Sequence, residues 1–185
     1  MEVKEILCRT MRLIGRTDAA DCVENDSPTD EAARLKRALL TYLNAVLDEL
    51  ARGYFPLDTE EEMCSENGVY ALADFLKAPF KINRVTSGEK AVEWHICPDY
   101  LYADAEKITV YYEYLPPELT EDDEFFYPVF AVSPRLVQYG MAAEYFLVAG
   151  DGEGYSAWES KYREEIEMLL SRSGVRERIP PRRWI

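Results

Sequence analysis

The stretch from Ser27 to Gly53 constrains this chain more than any other. Leu35, Leu39, Tyr42, Leu43, Val46, Leu47 and Leu50 recur there at steps of three and four residues, the spacing that lines one face of an α-helix. Ser27-Pro28 reads as an N-cap followed by proline at the first helical position, and Asp30 and Glu31 suit the positive end of the helix dipole. Gly53 marks the stop. A helix of about 24 residues spans ~36 Å. Being apolar along one side, it needs other elements packed against it, and so predicts the spine of the fold.

Helical patterns also stand at both ends of the chain. From about Val3 to Arg16, the residues Val3, Ile6, Leu7, Thr10, Leu13 and Ile14 share a face, with Gly15 suited to the C-terminus. The polar run Asp18 to Asp26 then reads as a short connection. Ser133-Pro134 repeats the cap-plus-proline start of a helix running to Ala149, whose small residues Gly140, Ala142 and Ala143 allow close approach to a neighbour. Past Gly150-Asp-Gly152, a final helix from about Gly154 to Ser171 presents Trp158, Tyr162, Ile166, Leu169 and Leu170.

Between Tyr54 and Leu115 the period changes. Short β-rich pieces fall at 69–71, 80–86, 91–97 and 108–114, and Thr86-Ser-Gly-Glu-Lys90 reads as a hairpin turn. Ile108 to Tyr114 is rich in the Thr, Tyr and Val favoured on a pleated surface, and Pro116-Pro117 ends it. Strands enclosed by helical pairs, without βαβ alternation, predict an α+β fold. Its N-terminal and C-terminal helix pairs pack together and flank an antiparallel, β-rich middle insertion. The expected divisions are a helical region over 1–53, a β-rich insertion over 54–117, a helical region over 118–172 completing one domain with the first, and a basic C-terminal arm over 173–185.

Charge separates function classes. The net charge of −14 argues against nucleic-acid binding by the bulk surface, where affinity comes from lysine and arginine neutralising phosphates. Residues 172–185 reverse the sign, with five arginines against Glu177. A basic arm on an acidic body predicts a docking element. No apolar run approaches the roughly 20 residues of a membrane span, and charges scattered through the first ten positions do not form a signal peptide. Cys8, Cys22, Cys64 and Cys97 form no CxxC pair, so they read as reduced thiols of a cytosolic protein rather than a zinc or disulfide framework.

The search for chemistry is thin. The single histidine, His95, lies in a strand pattern with no nucleophile motif to serve. No GxxxxGK[ST] or GxGxxG loop occurs, and Gly150-Asp-Gly-Glu-Gly154 places two acids where a phosphate would sit. Glu60-Glu61-Glu62 and Asp122-Asp123-Glu124 are the obvious acidic clusters, and adjacent acids on a loop usually form a solvated face. A structural protein without catalytic residues, metal or cofactor is therefore expected. An acidic binding module that inhibits a host protein, and a small hydrolase with a carboxylate site, are the competing classes.

Four stretches, taken in order, resemble phage head-to-tail adaptor (connector, neck) proteins. Val3 to Gly15 is similar to their opening helix ending in Leu-x-Gly. Leu39 to Leu50 with Tyr54-Phe-Pro-Leu57 looks like their long helix running into the first β segment. Val110 to Asp123 resembles their strand, proline stop and acidic loop, and Tyr139 to Leu147 with Trp158 to Tyr162 resembles their closing helix pair. The resemblance covers most of the chain, leaving 60–105 outside it. It implies a ring, a dodecamer when assembled, that docks on the portal protein in the virion neck, meets the next neck or tail protein, and passes DNA without binding it specifically. Assembly is expected in the bacterial cytoplasm. On that reading Arg176, Arg178, Ile179, Arg182, Arg183, Trp184 and Ile185 form the portal-docking arm. Glu121, Asp122, Asp123 and Glu124 form an acidic loop facing the channel or the tail.

Overall fold

The structure is a computed structural model that describes residues 1–129 and 132–173. The fold is α+β, with helices before and after an antiparallel, β-rich middle in chain order. The chain divides into two compact units, one formed by Met1–Tyr54 with the described residues of Pro117–Ile185, the other by Phe55–Pro116.

The helical unit contains α1 (Val3–Leu13), α2 (Thr17–Glu24), α3 (Asp30–Gly53), α4 (Pro134–Val148) and α5 (Gly152–Ser173). α3 is the predicted spine, burying Leu35, Leu39, Leu43, Val46, Leu47 and Leu50 along one side. Each such side chain, fully buried, contributes ~1.5–3 kcal/mol of transfer free energy. α4 packs on α3, α1 and α5, and its seven buried residues include Gly140, Ala142 and Ala143. α1 buries Val3, Ile6, Leu7, Cys8, Thr10 and Met11. The buried Thr10 hydroxyl donates to the Ile6 carbonyl at 2.9 Å, so burial leaves it satisfied.

Two local expectations are corrected here. The run Asp18 to Asp26, expected as a connection, is mostly helix α2, giving three helices before the strands rather than a pair. The expected cap Ser27-Pro28 also moves. Asp26, at φ 51, takes the left-handed conformation after α2, the amide of Asp26 donates to the Val23 carbonyl and that of Ser27 to the Cys22 carbonyl. These two bonds form a Schellman closure. Ser27 therefore finishes α2, and Thr29 caps α3 by accepting from the Ala32 amide at 3.2 Å. Gly15 after α1 and Gly150 after α4 close their helices in the same way. Asp151 then caps α5, its side chain accepting from the Gly154 amide at 3.0 Å.

The second unit holds two antiparallel sheets. One has the order β1-β7-β3-β4, from Leu57–Cys64, Lys107–Tyr114, Pro79–Ser87 and Lys90–Ala91. The other has the order β2-β6-β5, from Val69–Ala71, Tyr100–Ala103 and Trp94–Ile96. β1 and β7 pair along their full lengths, Leu57 opposite Tyr114 and Cys64 opposite Lys107. The chain thus enters and leaves this unit through neighbouring strands. β7 alternates strictly, burying Ile108, Val110, Tyr112 and Tyr114. In the second sheet, Tyr70, Leu101 and Ala103 are buried. Phe75, just beyond β2, sets its ring edge-on to Tyr112 at 5.2 Å. The hairpin predicted at 86–90 is present, with Ser87 opposite Lys90. β1 and β6 have no counterpart among the strands predicted from the sequence.

Candidate functional site

The acidic loop is built into the helical unit. Asn44 of α3 donates from its side-chain nitrogen to the Leu119 carbonyl at 3.0 Å and accepts from the Leu119 amide at 2.9 Å. Asp123 closes a turn, accepting from the Thr120 amide at 2.6 Å and the Thr120 hydroxyl at 2.8 Å. These two bonds, the backbone one foremost, hold the Asp123 carboxyl below the usual aspartate range. The Val3 amide donates to the Asp123 carbonyl at 2.9 Å, and the Phe125 amide to the Met1 carbonyl at 2.9 Å. Glu2 and Glu124 form an antiparallel bridge between them. Glu121 is ion-paired with Lys36 of α3.

The four predicted acids are thus unequal. Glu121 and Asp123 are half-buried and engaged inside the unit, while Asp122 and Glu124 are exposed. The loop is a fixed acidic edge, tied to the start of α1 and the middle of α3. The other predicted residues, Arg176, Arg178, Ile179, Arg182, Arg183, Trp184 and Ile185, lie outside the described residues.

The Glu60-Glu61-Glu62 cluster falls on β1, where alternation separates its members. Glu62 pairs with Lys107 at 2.8 Å across the strand pair, and Glu60 is exposed. Glu61, on the other face, accepts from the Tyr112 hydroxyl at 2.9 Å and from the Leu76 amide at 3.1 Å and 3.3 Å, one distance to each carboxylate oxygen. Burial and the adjacent carboxylate push the Tyr112 phenol up to about 12. Glu61 is therefore a loop anchor. No group of three or more His, Cys, Asp or Glu side chains among the described residues could hold a metal ion.

His95 stands on β5 opposite Tyr102, and the two rings lie 4.8 Å apart. The four cysteines are unpaired. Burial pushes the Cys8 thiol up, away from the reactive thiolate. No helix among the described residues is long and apolar enough to cross a membrane.

One feature of the middle unit carries no sequence signal. Leu76 is 88% exposed, yet the residues on either side are fastened down. The Leu76 amide is held by the carboxylate of Glu61, fifteen residues earlier.

No known protein-family model matches the chain, and a search of curated proteins finds no match to it.

Proposed function

We propose that the chain is a subunit of a phage head-to-tail adaptor ring that docks on the portal and extends the DNA channel towards the tail. The observation that carries this reading is the fixed acidic edge at 119–124, where Asn44, Asp123 and the first residues of α1 hold the backbone and leave Asp122 and Glu124 facing solvent. A ring of such edges repels phosphate, the reverse of the counterion-releasing contacts by which proteins grip DNA. Genome could then slide without sticking. The ordered resemblance in four stretches supports the same reading. The arm Val175 to Ile185 supplies arginines and a terminal Trp-Ile of the kind enriched at interface hot spots.

The test mixes the purified full chain with the portal protein of the same genome and images the mixture by negative-stain electron microscopy. Rings stacked on the portal are expected. Deleting 175–185 should abolish portal capture in a pull-down while the far-UV circular dichroism stays unchanged. Small uniform particles with and without portal would refute the adaptor reading. Full capture by the truncated chain would refute the role of the arm.

A further inference from the structure

We infer that the outward face of the three-stranded sheet β2-β6-β5 is a docking surface, and that its occupant is the basic arm 174–185 of a second copy of this chain. Strand alternation sorts the side chains. On β6, Leu101 and Ala103 are buried, so Tyr100 and Tyr102 stand on the opposite face, 39% and 36% exposed. Register places Val69 and His95 on either side of Tyr102, and Ala71 beside Tyr100. The His95 and Tyr102 rings lie 4.8 Å apart. One rung further along, Glu93 and Asp104 stand opposite each other, the Asp104 amide donating to the Glu93 carbonyl at 3.5 Å. Both are exposed. The face therefore carries aromatic rings with two carboxylates at one end.

Charge selects the occupant. The segments that build this sheet, 65–76 and 92–106, contain Glu66, Asp74, Glu93, Asp99, Asp104 and Glu106 and neither lysine nor arginine. None of these acids is ion-paired among the described residues. Lys90 and Lys107, on either side of the second segment, belong to the four-stranded sheet, and Lys107 is already engaged by Glu62. At the acidic edge 119–124, by contrast, Glu121 and Asp123 are engaged within their own unit. The arm reverses the charge, with Arg176, Arg178, Arg182 and Arg183 against Glu177. A guanidinium lies flat on a tyrosine ring and still offers its edge to a carboxylate, which an ammonium does not. Arg176 and Arg178 are two residues apart, as are Tyr100 and Tyr102. In an extended arm that spacing, ~6.6–6.8 Å, sets one arginine over each ring.

An arm from another copy reaches this face whatever the placement of the two units within one chain. Arm and sheet face are different patches, so the contact joins unlike surfaces, as a heterologous ring contact does. The inference does not rest on the adaptor reading. Where both hold, the portal and the sheet face compete for one arm.

The test replaces Ile179 of the full chain with a photoreactive benzophenone amino acid, in the absence of portal. Irradiation should link separate copies on a denaturing gel, and mass spectrometry of the digest should place the link within 65–76 or 92–106. Glu93→Lys/Asp104→Lys should abolish the linked product with the far-UV circular dichroism unchanged. Arg176→Glu/Arg178→Glu, which alters no described residue, should abolish it equally. Combining the two reversals should restore it, as a folding defect would not. Absence of linked copies, links confined to single chains or centred elsewhere, a product indifferent to either reversal, or a combined variant that stays unlinked would overturn the inference. Portal rings without this link would overturn the contact and leave the adaptor reading standing. The link without portal rings would do the reverse.

Discussion

Gly140 shows how little room the helical unit leaves at its centre. A Cβ placed there would lie 2.9 Å from both γ-methyl carbons of Val46 and 3.1 Å from a ring carbon of Tyr162. Val46 lies on α3, where a β-branched side chain is nearly restricted to one rotamer, so it cannot turn away. Alanine would gain ~1 kcal/mol of helix propensity over glycine, but overpacking of a closed core typically costs ~1–3 kcal/mol. Gly140→Ala is expected to lower stability on balance. Removing the obstructing methyls with Val46→Ala should recover some of the loss. The double variant should then be more stable than the sum of the single effects by ~0.5–3 kcal/mol. Urea melts followed by far-UV circular dichroism would measure this. Additive losses would mean that α3 and α4 separate to admit the methyl, and the close approach would have no energetic weight.

At the scale of elements, the cap of α3 separates what the sequence could reveal from what it could not. The apolar period of α3, the Ser133 cap of α4 and the β-branched run of β7 are local signals, and each appears where the residues place it. Ser27 instead belongs to the closure of α2, its amide donating to the Cys22 carbonyl, and α3 begins two residues further on at the Thr29 cap. α2 itself has three buried residues, Ala19, Ala20 and Val23, too few to mark a period in eight positions. β1 is hidden by Asp58, Glu60 and Glu62, which have low β-propensity but suit the exposed side of an edge strand. The acidity and turn character of 118–124 were legible. The bonds from Asn44 that fix the loop span 75 residues, and no local pattern encodes them. Thr29→Ala is therefore expected to cost ~1 kcal/mol through loss of the α3 cap, while Ser27→Ala changes stability by less than ~0.5 kcal/mol. Thermal melts of the two variants decide it, and a reversed order would return the cap to Ser27.

For the whole molecule, the two units carry different titrating groups, and so should differ in acid. Among the described residues, the carboxylates held below the ordinary range are Glu24, drawn down by its hydrogen bonds from Arg12, Asp26 by that from Lys4, and Asp123 by the Thr120 turn. All three belong to the helical unit. A carboxylate with a lowered folded pKa stabilises the fold above its unfolded value, and that contribution fades as pH falls through the folded one. The helical unit should therefore weaken from about pH 4 downward. In the β-rich unit, burial foremost pushes up the Tyr70 and Tyr112 phenols, the latter to about 12. A phenol with a raised folded pKa keeps its proton longer in the fold than in the unfolded chain. Its contribution is present below about pH 10 and is lost as pH rises through the folded value. Tyr42 and Lys4 are also raised, so alkali acts on both units and discriminates poorly. Acid is the informative direction. Hydrogen exchange by mass spectrometry across a falling pH series, corrected for intrinsic exchange rates, should show peptides from α1, α2 and the 119–124 turn losing protection before those from β1 and β7. Simultaneous loss in both would mean that the units unfold as one cooperative body, and earlier loss in β1 and β7 would place the acid-sensitive carboxylates in the strands instead.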